Sequence, residues 1–158
     1  MDIAWQLETA GIVLAAALLG AVIGFERRSK QKSAGIRTHA LIAAAAALIS
    51  TLSTYLIFHL EYPDVAIISS DPTRILHSIM IGVSFIGGGM IFRDTSSGEK
   101  SVKNLTTAAS LLLTAIMGAT VGLRLYVLAV AIVLLVLIFN IVLRILQNRI
   151  FNDHHTVD

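Results

Sequence analysis

The chain has 158 residues, 56% hydrophobic and 14% charged, with a mean hydropathy of +0.81. A water-soluble domain of this size cannot bury that much apolar surface, so lipid is the solvent for most of it. The absence of cysteine excludes disulfides, thiolate metal sites and a cysteine nucleophile, and a formal net charge of +2 gives no footing for nucleic-acid binding.

Five uncharged runs, at about 9–25, 38–58, 75–92, 105–123 and 125–143, reach or approach the roughly 20 residues that cross a bilayer core. In lipid each must be a helix, because only a helix satisfies its own backbone. The first run is preceded by the acidic "MDIAWQLE" and followed by the basic cluster, the reverse of a signal peptide. It is expected to insert with its N-terminus outside, with Trp5 in the outer interface. Ala16, Gly20 and Gly24, four residues apart, mark a face for close helix contact.

"GFERRSKQKSAGIRTHALI" follows. Arg27, Arg28, Lys30 and Lys32 are accounted for as orientation anchors. Glu26 is not, since an acid adds nothing to such anchoring, and Arg37, Thr38 and His39 stand at the mouth of the second span. A polar cluster of Glu26, Arg37, Thr38 and His39 is expected, with a Glu26–Arg37 pair, and Gly35 suits the turn. The second span, "ALIAAAAALISTLSTY", offers Ser50, Thr51, Ser53 and Thr54 for bonds to its own backbone or a neighbour.

In "SDPTRILH", Asp71 before Pro72 reads as a helix N-cap, with Arg74 three residues on and His77 inside the span. Asp71 is also a hard oxygen ligand that a hydrated Mg²⁺ would accept, with Glu61 and Asp64 nearby, although a lone carboxylate makes a weak site. The third span pairs Ser78 with Gly82 and Ser84 with Gly88, then runs through Gly87, Gly88 and Gly89. Close packing is the favoured reading of these glycines, over a break that exposes carbonyls to an ion. The loop at 94–104 has the composition of a flexible turn.

In "KNLTTAASL", Asn104 or Thr106 is expected to cap the fourth span. Thr106, Ser110, Thr114, Gly118 and Gly122 form its packing stripe, with Thr107 beside it. "GLRLY" forces a tight antiparallel hairpin into the fifth span, which is bulky, faces lipid, and carries Asn140 buried near its cytoplasmic end. His154 and His155 read as solvated tail residues.

The small-residue rows place spans one, three and four at the tight centre, a use within the chain favoured over a homodimer. Basic residues at 26–37, 93–104 and after the last span, against only Arg74 and Arg124 on the other side, put the C-terminus in the cytoplasm. The expected fold is thus all-α: an integral membrane protein of five transmembrane helices, N-terminus outside, with a membrane domain at 1–150 and a short cytoplasmic tail at 151–158. No triad, metal-protease or phosphate-loop spacing occurs, so an enzyme is not expected.

Together "GFERRSKQKSAGIRTHALI", "DPTRILHSIMIGVSFIGGGMIFR" and "VKNLTTAASLLLTAIMGATVGL" resemble the MgtC/SapB family of bacterial inner-membrane proteins, in the family's order and over about residues 10–125. The resemblance implies a five-span domain, adaptation to low magnesium, survival of pathogens inside host cells, and an ATP synthase partner. It leaves open whether Mg²⁺ is moved. By position Glu26, Arg37, Thr38, His39, Asp71, Arg74, Thr106 and Thr107 match its characteristic polar residues. Departures are Ser33 for a proline, Ser84 and Asn104 for glycines, and an end soon after span five where many members carry a cytoplasmic domain. The expected function is a non-enzymatic regulator of magnesium and energy homeostasis acting through membrane partners; the alternatives are a transporter or channel for Mg²⁺ or another small ion, and a purely structural scaffold. Mid-span polarity is mostly hydroxyl plus His77, which is thin for a divalent-ion path.

Overall fold

The computed structural model describes residues 2–59, 73–94 and 101–152. Five helices carry the chain: α1 (Ile3–Ser29), α2 (Ile36–His59), α3 (Thr73–Met90), α4 (Leu105–Gly122) and α5 (Tyr126–Asn152). All but α3 are long and apolar enough to cross a membrane. Among the described residues four helices therefore meet that standard, and Arg74, His77 and the glycines dilute the third.

The fold is also not purely helical. Where a flexible turn was expected, β1 (Phe92–Asp94) pairs antiparallel with β2 (Ser101–Lys103), with Phe92 opposite Lys103 and Arg93 opposite Val102. Phe92 and Val102 suit strands, and the three glycines just before them end α3.

Each turn has a local cause. Gln31, not Gly35, adopts the left-handed conformation after α1, with φ 53°. Asn104 enters α4 at φ 68°, a region that asparagine tolerates better than most residues. Asn104 does not cap α4 with its side chain; its Nδ2 donates to the Met90 carbonyl at 3.0 Å, and so ties the end of α3 to the start of α4. Arg124, at φ 62°, makes the hairpin between α4 and α5.

The centre is α1, α2 and α4, not spans one, three and four. A Cβ on Gly20 would lie 2.6 Å from the His39 carbonyl oxygen, and one on Gly24 2.6 Å from the Ile36 Cα. A Cβ on Gly118 would collide with the Ala43 backbone, and one on Gly122 would lie 2.5 Å from the Ala47 carbonyl oxygen. The alanine face of α2 is thus clasped between the glycine faces of α1 and α4. Ile12, Ala16, Ile23, Ala43, Ala47, Met117 and Val121 join Ala129, Val133 and Val136 of α5 in one core. Ile79 and Val83 of α3 pack with Leu111, Ala115 and Ala119 of α4 in a second. A Cβ on Gly87 would lie 3.3 Å from the Ala108 Cβ, but one on Gly82, Gly88 or Gly89 would meet no described atom within 4 Å, so the packing expected of these three is not made among the described residues.

The perimeter is apolar. Leu14, Leu18 and Phe25 of α1, Leu41 of α2, Ile81 and Phe85 of α3, and Val127, Leu134 and Ile138 of α5 are all exposed. That is the surface lipid covers and water does not.

Candidate functional site

The residues at one end of the bundle form a polar seam inside it. The buried face of α1 runs Ala16, Gly20, Ile23, Gly24, Arg27, so the helical repeat carries Arg27 inward at the point where the glycines hold α2 close. Arg27 is 2% exposed. Its Nη2 donates to Thr107 Oγ1 at 3.4 Å, eighty positions along the chain, and its Nε–H has no partner among the described residues. The reading of Arg27 as a flanking anchor is therefore corrected: it belongs to the core.

Glu26 does not pair with Arg37. It forms a salt bridge with Lys30, one turn on, and accepts a hydrogen bond from Asn140 Nδ2 of α5 at 3.2 Å. The expected pair fails because the turn at Gln31 sets α2 down with Arg37 exposed. Thr38 is half-buried, and His39, the next residue along the α2 face that carries Ala43, Ala46 and Ala47, is fully buried.

His39 Nδ1 lies 2.7 Å from Thr114 Oγ1. The single proton of that hydroxyl is donated to the Ser110 carbonyl at 2.8 Å. It follows that Nδ1–H donates to Thr114, and that Nε2 is left as a bare acceptor. Nε2 is buried without a partner among the described residues. Thr107, Ser110 and Thr114 line the facing side of α4, with Ser110 Oγ donating to the Thr107 carbonyl at 2.8 Å. Thr106, expected on this stripe, is exposed and takes no part.

The structure thus brings together Glu26, His39 and Thr107 of the expected residues. It adds Arg27, Lys30, Thr114, Ser110 and Asn140, and leaves Arg37 and Thr106 outside. Arg74 lies exposed near the start of α3, its carbonyl accepting from Ser78 Oγ at 2.8 Å, and is remote from the seam. Asp71, the residue offered for Mg²⁺, lies outside the described residues, as do Glu61, Asp64, His154 and His155. Among the described residues no three His, Asp or Glu side chains group to hold a metal. The sequence signal for Arg27 was its place on the Gly20/Gly24 stripe; for Thr114 and Ser110, their place on the glycine stripe of α4.

At the other end, Arg124 Nη1 pairs with Glu8 Oε1 at 2.8 Å, the rings of Trp5 and Tyr55 meet at 4.3 Å, and Thr51 Oγ1 donates to the Gly122 carbonyl at 3.2 Å. None of these carries an unpaired buried charge.

The model of the MgtC family matches residues 13–149. Among curated proteins, Protein MgtC of Salmonella typhimurium is 39% identical over 140 residues, covering 87% of this chain and 53% of the relative. Protein MgtC of Brucella abortus is 36% identical over 117 residues, 73% of this chain and 42% of the relative. An uncharacterised protein of Synechocystis is 38% identical over 133 residues, 84% and 51%. The chain spans about half the length of these relatives. No solved structure matches.

Proposed function

Because the chain belongs to the MgtC family, we propose that it is a five-span protein of the bacterial inner membrane that regulates magnesium and energy homeostasis through a partner membrane protein and catalyses no reaction itself. The observation that carries this reading is the incomplete polar seam. A buried guanidinium and a buried imidazole each keep one ring or chain nitrogen unmatched. Such groups destabilise a bundle unless something completes them, so they are expected where a second molecule or a second state does so. ATP synthase is the partner that the family resemblance points to.

Conduction is the less supported alternative. Beyond the seam, α1, α2 and α4 touch backbone to backbone at Gly20, Gly118 and Gly122, which leaves no room between them for a hydrated ion. Purified protein in proteoliposomes is expected to show no Mg²⁺ uptake above protein-free vesicles, and a partner is expected to co-purify from native membranes. Uptake that Glu26→Ala or Asp71→Ala abolishes would overturn the regulator reading in favour of a transporter.

A further inference from the structure

We propose that the turn joining α1 to α2 binds the phosphate group of an acidic phospholipid. The inference is independent of whether the chain regulates a partner or moves an ion.

The charges of this turn do not cancel. Glu26 is engaged by Lys30, and Arg27 is buried against Thr107. Arg28 and Arg37 are exposed and meet no carboxylate among the described residues, and neither does Lys32. The two arginines come from different helices, yet they line one cavity of about 440 Å³ together with Ser33, Gly35, Ile36 and Thr38. The stem of Arg28 lies along Gly35, its Cβ and Cδ each 3.7 Å from where a Cβ at 35 would sit. Two guanidinium forks and two hydroxyls, with no acid among the described lining residues, call for a ligand that is anionic and rich in acceptor oxygens. Phosphate meets that requirement, and its geometry suits paired N–H donors.

The surroundings favour a lipid as the source of that phosphate over a free ion. Phe25, one turn before Arg28, is 68% exposed; Leu41, one turn after Arg37, is 70% exposed; Ile36, on the cavity wall, is also exposed. The basic cavity therefore lies where the apolar perimeter of two membrane-length helices ends. A ligand there finds cations for its head and apolar side chains for its acyl chains.

The test uses the full chain purified in a neutral detergent. Phosphatidylglycerol and phosphatidylcholine are titrated in turn, with retained lipid read by native mass spectrometry and stability by thermal unfolding. Phosphatidylglycerol is expected to be retained and to raise the unfolding temperature, and phosphatidylcholine to do neither. Arg28→Gln with Arg37→Gln is expected to weaken phosphatidylglycerol binding about tenfold or more. Lys32→Gln, which removes a charge from the same turn but not from the cavity wall, is expected to change it no more than about twofold. Equal binding of the two lipids by the unmodified chain would overturn the proposal, whatever the variants do. So would a loss in Lys32→Gln as large as in the double variant, which would mean a diffuse field and no site. Displacement of the lipid by millimolar inorganic phosphate would overturn the assignment to lipid. If circular dichroism shows that the glutamine pair does not fold, Arg28→Lys with Arg37→Lys replaces it; this pair keeps the charge and loses the forks, and undiminished affinity would again count against the site.

Discussion

Arg27 and Glu26 are neighbours in sequence with opposite fates, and the difference is about 100° of helix rotation. Arg27 follows the glycine face into the core, whereas Glu26 lies at its edge, reached by Lys30 and Asn140. Replacing Glu26 by alanine leaves both donors unmatched in a half-buried place, and is expected to destabilise the protein by about 1–3 kcal/mol, with Glu26→Gln, which still accepts from Asn140, milder. Thermal unfolding in detergent checks this, and equal stability of the alanine variant would refute the contact. For Arg27 the expectation has the opposite sign. A buried charge with one long hydrogen bond contributes little net stability, so Arg27→Met should unfold at the same temperature as the parent or above it, and Arg27→Ala about 2 kcal/mol or more below Arg27→Met for want of the stem's packing. If the seam is kept for function, Arg27→Met also fails to support growth of a deletion strain at low magnesium; a stable and fully active variant would remove Arg27 from the site. The sequence makes Glu26 conspicuous because it is the one acid in a basic stretch, and it sets His39 and Thr107 at the mouths of the second and fourth spans. It does not show which partner each takes, since that depends on the left-handed step at Gln31 that turns Arg37 outward.

At the scale of the helices, glycine spacing reveals which faces permit close approach but not which helix approaches. α2 has no glycine stripe, and its alanines read as ordinary lipid-soluble helix; yet Ala43 and Ala47 are what Gly118 and Gly122 rest on. α3 has the densest run of glycines, and at three of its glycines an added Cβ would meet nothing described. Alanine and glycine both allow contact in lipid, so composition alone does not separate a used face from an unused one. Substitution does. At Gly118 the added methyl meets backbone that has no rotamer to move, and Gly118→Ala is expected to cost about 1–3 kcal/mol or more in spite of alanine's better helix propensity. At Gly82 the same change meets open space and should stabilise α3 by about 0.5–1 kcal/mol. Unfolding temperatures of the two variants must move in opposite directions; a loss at Gly82 as large as at Gly118 would mean that another surface packs there, such as a second copy of the chain.

For the whole molecule the open quantity is the path of α3, whose composition falls short of a span while its contacts run from one end of the bundle to the other. α2 ends beyond Tyr55, whose ring meets Trp5 at the end of the bundle where Glu8 pairs with Arg124. α3 then ends at Met90, whose carbonyl is bonded to Asn104, close to Thr107 and so to Arg27 at the opposite end. Thr73 shares a cavity wall with Phe58 and Leu123, so between Thr73 and Met90 the chain travels from one end to the other, packed on α4 through Ile79 and Val83. Contact with α4 along that path explains how a helix with Arg74, His77 and four glycines is tolerated: a neighbouring helix shares the burial that an isolated span would need from lipid alone. The chain has no native cysteine, so each of Gln6→Cys, Ser33→Cys, Val102→Cys and Leu125→Cys carries a single thiol at an exposed position. With a membrane-impermeant maleimide on intact cells and then on inverted vesicles, positions 33 and 102 are expected to label from one side and positions 6 and 125 from the other, the cytoplasmic side being that of 33 because the turn's cations gather there. Positions 33 and 102 labelling from opposite faces would mean that α3 does not cross. The contact between Arg27 and Thr107 could not then form in the membrane, and the seam would fall with the fifth span.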